Sequence, residues 1–101
     1  MLQNNTGAPI PIACPGGITK LRVYGFYFGG SGGNNVTITV TQNTTDTILS
    51  CTISPSTINN AYTCSSSLNV TGVSAGDLIG IHIHQDNSGP FVRMGTSFVC
   101  Q

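Results

Sequence analysis

Charge is what this 101-residue chain has least of. Lys20, Arg22 and Arg93 stand against Asp46, Asp77 and Asp86, glutamate is absent, and charged residues make up 6% of the total, where a soluble domain ordinarily carries roughly 25%. Nucleic acids and anionic lipids are bound by clustered Lys and Arg that displace counterions, and three dispersed cations do not form such a cluster. Neither nucleic acid nor a membrane is therefore expected as a partner. Acid–base chemistry by paired carboxylates is short of material for the same reason. A formal net charge of zero also removes the long-range repulsion between copies, so the chain is suited to packing against itself.

Long apolar runs are missing as well. No stretch approaches the roughly 20 residues that cross a bilayer, and the start, MLQNNTGAPIPIACPGG, has neither the basic opening nor the apolar run of a secretory signal. Either the chain does not travel by that route or this is the mature form, and its beginning with Met favours the first. Its four cysteines nevertheless exceed what a reducing compartment explains. A particle assembled in a cytoplasm and released by lysis into oxidising surroundings satisfies both facts.

Helical periodicity is the third absence: no apolar i, i+3, i+4 pattern persists for three turns, and Thr, Val, Ile, Asn and Gly are poor helix formers. Alternation takes its place. VTITVTQ sets Val36, Ile38 and Val40 against three threonines, KLRVYGF sets Leu21 and Val23 against Lys20 and Arg22, and LIGIHIH sets Ile79, Ile81 and Ile83 against Gly80, His82 and His84. Gly-, Asn-, Ser- and Pro-rich segments punctuate these runs. Strands are predicted at about 9–13, 18–28, 35–42, 46–53, 61–71, 77–85 and 91–100, the fifth open to splitting. Seven or eight short strands imply an all-β antiparallel sandwich of jelly-roll type. A single domain spans 1–101, with 1–8 as an extended N-terminal arm.

Motifs for chemistry are scarce. The cysteines contain no Cys-x-x-Cys pair of the kind zinc sites favour. Ser31 sits in GGSGG without a strand-to-helix elbow, and that glycine-rich loop precedes no helix that would make it a phosphate cradle. His82 and His84 point the same way from one strand and would hold zinc or copper if a third ligand arrived, with Asp77 and Asp86 the carboxylates nearby in sequence. The plainer reading is a polar outer face, Asp77 being a turn residue after Gly76. No catalytic residue, metal or cofactor is expected. Asn4, Asn35, Asn43 and Asn69 each begin an Asn-x-Thr sequon, and without a secretory signal no glycan is expected on them. Tyr24, Phe26 and Phe28 fall on the side of Lys20 and Arg22, where aromatics want cover. Either a bulge at Gly25 returns them to the core, or they form a subunit interface or a stacking platform for sugar rings.

The order ITKLRVYG, then NVTITVTQNTTDTILSCTIS, then YTCSSSLNVTGVSAGDLIGIHI resembles the jelly-roll domains of uncharacterised phage and bacterial surface proteins, related in shape to the tumour-necrosis-factor and C1q heads. The resemblance covers about residues 10–100. It implies a trimer-forming or virion-surface module. One departure is Asn43-Thr44, where the family's hairpin usually carries Asn-Gly and a type I′ turn is more secure. Four cysteines permit three pairings. On jelly-roll strand positions, Cys51 pairs with Cys64 across a local loop, and Cys14 with Cys100 because first and last strands are neighbours; a bond between subunits is the alternative. The functional expectation is a non-enzymatic virion structural protein, a capsid decoration or surface subunit of a phage, that contacts copies of itself as a trimer or larger assembly and a capsid or other virion protein. A glycan-binding tip of a tail fibre or adhesin is an alternative, and a filament subunit joined by strand addition through APIPIA is another.

Overall fold

In the computed structural model, which describes residues 3–4, 7–30, 35–85 and 90–101, the described residues form strands and no helix, and every strand pairing is antiparallel. Ser31 and Asp86 lie outside the described residues. The strands are β1 (Gln3–Asn4), β2 (Ala8–Pro9), β3 (Ile18–Gly30), β4 (Val36–Gln42), β5 (Thr45–Ile53), β6 (Asn60–Ser66), β7 (Leu78–Gln85) and β8 (Pro90–Cys100). Both β1 and β2 pair with β7, Gln3 and Asn4 opposite Ile83 and His82, and Ala8 and Pro9 opposite Ile79 and Leu78. One sheet runs β1/β2-β7-β4-β5 and the other β6-β3-β8, a four-on-three sandwich with jelly-roll-like crossovers.

The alternation read from the sequence is what fills the space between the sheets. Val36, Ile38 and Val40 of β4, Leu49 and Ile53 of β5 and Ile79 of β7 are buried together with Ile18, Leu21, Val23 and Tyr27 of β3 and Val92 of β8. Burying each of these aliphatic side chains stabilises by roughly 1.5–3 kcal/mol.

A bulge does interrupt β3, but not at Gly25. The register with β8 shifts between Thr19 and Arg22, where Lys20 has φ 55°. The shift accommodates exposed Lys20 between buried Ile18 and Leu21, while Thr19, paired with Val99, is covered by the 67–68 backbone, its hydroxyl donating to Ser67 O and Leu68 O. From Arg22 to Tyr27 the register is continuous, so Tyr24 and Phe26 stay on the outer face. Gly25 faces the interior instead. A Cβ there would stand 2.8 Å from Ile53 Cδ1 and 2.9 Å from Val92 Cγ1, so the glycine marks a close approach of the two sheets. Gly25→Ala is expected to cost about 1–3 kcal/mol in chemical denaturation. Adding Ile53→Val, which deletes the offending methyl, should restore part of that loss; strictly additive costs would refute the assignment.

The β4–β5 hairpin turns at Asn43 and Thr44 with both φ angles positive, 52° and 69°, as a type I′ turn requires. The departure from Asn-Gly therefore does not prevent the turn, although a β-branched residue rarely takes this conformation.

Cys14–Cys100 and Cys51–Cys64 are disulfides, with Cα atoms 5.2 Å and 5.8 Å apart, and no cysteine is left free. The second joins β5 to β6, hence one sheet to the other. The first ties the segment before β3 to the end of β8. Two such bonds suit an extracellular or otherwise oxidising location.

Candidate functional site

Directly opposed residues of an antiparallel pair share a face, so the register builds the outer surface of the three-stranded sheet row by row. Ser65, Arg22 and Ser97 form one row, Thr63, Tyr24 and Gly95 the next, and Ala61, Phe26 and Arg93 a third. Large side chains come from the central β3 and small ones from the flanking strands, with Arg93 of β8 the exception. Tyr24 is 52% exposed and Phe28 44%. Toward the Phe28 end the face is apolar, with the Arg93 guanidinium 5.3 Å from the Phe28 ring centre in a cation–π contact. Toward the other end a groove of about 690 Å³ opens between Arg22, Tyr24, Thr63, Ser65, Gly95 and Ser97.

The histidines lie on the outer face of the other sheet, and Asp46 is the carboxylate they meet. His82 Nδ1 stands 3.1 Å and 3.2 Å from the two Asp46 carboxylate oxygens, and the His84 ring lies edge-on to His82 at 6.3 Å. A carboxylate at Nδ1 can fix the tautomer and orientation of an imidazole. A metal needs at least one more ligand, and among the described residues no three His, Cys, Asp or Glu side chains gather to hold one. This face is not simply wet: Thr39 and Thr41 are buried, and the Thr37 and Thr52 hydroxyls bond each other at 3.1 Å.

Asp77 closes a bracket between two loops. Its carboxylate accepts from the Ser74 backbone N–H at 2.9 Å, Gln42 Nε2 at 2.9 Å and Asn43 Nδ2 at 3.3 Å, while Asn43 Oδ1 accepts from the Leu78 N–H. The Ser74 amide first, then the Gln42 and Asn43 amides, hold the carboxyl below the ordinary carboxylate range. A folded-state value below the unfolded one means that the contribution is complete above the ordinary pKa near about 3.9 and disappears as pH falls through the folded value. The thermal midpoint of the wild type should therefore drop more steeply on acidification below about pH 4 than that of Asp77→Asn. Parallel melting curves would show that the bracket carries no stability.

Tyr62 went unremarked in the sequence, yet its hydroxyl organises the β5–β6 loop. It accepts from the Ser56 and Thr57 backbone N–H groups at 3.0 Å and 2.7 Å and lies 3.3 Å from Ser56 Oγ. The Ser56 hydroxyl, followed by these backbone amides, lowers its pKa to about 8. Three sequon asparagines are engaged elsewhere: Asn35 Oδ1 accepts from the Ser54 hydroxyl, Asn43 joins the Asp77 bracket and Asn69 donates through Nδ2 to Gly16 O. No family model, curated protein or solved structure matches this chain.

Proposed function

We propose that this chain is a non-catalytic structural subunit that works by associating with copies of itself, and at the finest level a decoration or other surface subunit of a phage capsid. The observation that carries the reading is the outer face of the three-stranded sheet, where Phe26, Phe28 and, at the margin, Tyr24 stand on the solvent side of a rigid sandwich. Exposed aromatics on a chain with no net charge favour contact with another protein surface. Support also comes from β8, an 11-residue edge strand whose paired neighbour among the described residues is β3 alone, since an open edge is a further place for copies to join. Of the three carboxylates, Asp77 is committed to its bracket and Asp46 to His82, which leaves little for catalysis. The virion placement rests on the sequence resemblance and on the low charge and disulfides.

Sedimentation velocity tests the association. The wild type should sediment as a trimer or larger species, and Phe26→Ser combined with Phe28→Ser as a monomer with an unchanged melting midpoint. A wild type that is monomeric at micromolar concentration overturns the reading. Electron microscopy of native particles, labelled for this chain, then decides the capsid placement.

A further inference from the structure

We infer that the groove at the Arg22–Tyr24–Gly95 end of the same face binds a saccharide whose ring carries a carboxylate. This goes beyond self-association and uses the opposite end of the face from Phe28.

Gly95 is the first reason. It lies within β8 opposite Tyr24, its φ is not positive, and a Cβ added there would meet nothing within 4 Å. Neither backbone strain nor packing calls for glycine, which weakens a strand. What the missing side chain leaves is the open floor of the groove beside the Tyr24 ring.

The second reason is that the groove's polar groups are uncommitted. Neither the Arg22 guanidinium, the Tyr24 hydroxyl nor the hydroxyls of Thr63, Ser65 and Ser97 make a side-chain hydrogen bond or ion pair with any described residue. On the opposite sheet, by contrast, Thr37 is satisfied by Thr52 and His82 by Asp46. The groove's side chains stand on paired strands, and the Cys51–Cys64 bond fastens β6 between Thr63 and Ser65, so little conformational freedom remains to be lost on binding.

The chemistry of this set is selective. A pyranose ring offers an apolar C–H face for Tyr24 and a rim of hydroxyls for Ser65, Ser97 and Thr63. A lone guanidinium without a carboxylate partner takes an anionic group bidentately. A single cation is too few for a phosphate backbone, and no acidic side chain lines the groove to hold a cation or an amine.

Calorimetry and amide NMR with oligogalacturonate, a neutral cello-oligosaccharide and poly-glutamate test the assignment. Oligogalacturonate should shift the amides of Tyr24, Ser65, Gly95 and Ser97. Gly95→Val, which fills open space on a strand, and Tyr24→Ala should each weaken binding at least about tenfold. Arg22→Gln should weaken the uronate about tenfold and leave the neutral sugar's lower affinity unchanged. The inference is overturned if oligogalacturonate moves none of these amides, if poly-glutamate or the neutral sugar binds as tightly, or if Gly95→Val retains wild-type affinity with a native melting curve. Repeating the titration on the Phe26→Ser/Phe28→Ser protein separates this outcome from any failure of assembly.

Discussion

Removing both disulfides is expected to leave a chain that does not fold at physiological temperature. The Cys14–Cys100 bond spans 86 residues and Cys51–Cys64 spans 13. On loop entropy these are worth about 4.6 and about 3 kcal/mol. Their sum is comparable with the whole stability of an ordinary small domain, roughly 5–15 kcal/mol. Circular dichroism of the four-fold Cys→Ser variant should therefore show little β structure. The variant lacking only the Cys51–Cys64 bond should stay folded with a lowered midpoint, and the one lacking only Cys14–Cys100 should lose more. Equal losses from the two single removals would mean that chain entropy is not how these bonds act here.

Gly17→Ala is expected to be among the more damaging substitutions at a glycine. Gly17 has φ +94°, outside the range that L side chains tolerate, and an added Cβ would lie 2.6 Å from the Val70 carbonyl oxygen and against Asn69 Oδ1. The Val70 oxygen is backbone and accepts from the Ile18 N–H, so it cannot swing aside as a side chain would. Gly17 also accepts from the Gln101 N–H, and its own N–H donates to Cys14 O, beside the long disulfide. Conformational strain alone costs about 1–3 kcal/mol, and the clash adds to it. A total of about 3 kcal/mol or more in urea denaturation is expected. Gly76→Ala, at φ +87° with open space around it, is the control in which strain acts without collision and the loss should be smaller.

Much of the sandwich could be read from alternation, because Leu21, Val23 and Tyr27 of β3, Val36, Ile38 and Val40 of β4 and Ile79, Ile81 and Ile83 of β7 line or pack against the core on alternate positions. The strand ends expected at 35–42 and 77–85 differ from β4 and β7 by at most a residue. Other features depend on relations between distant residues. A bulge at Gly25 is one of the two readings the aromatics allow, but it is Lys20 that takes φ 55°, and nothing in a lysine announces that. Asp46 reaches His82 only because β4 lies between β5 and β7, so separation along the chain pointed to Asp77 and Asp86 instead. Periodicity sets Thr39 and Thr41 opposite Val36, Ile38 and Val40, but it reports side and not cover, and both are buried. Gly95 gains meaning once the register sets it opposite Tyr24.

The long disulfide makes most of this polypeptide a covalent ring. Every trypsin-sensitive bond, after Lys20, Arg22 and Arg93, falls between Cys14 and Cys100. One cut there opens the ring without releasing a fragment, and the nicked molecule keeps its mass plus a water until it is reduced. A chain wired in this way remains one covalent molecule through any single such cut.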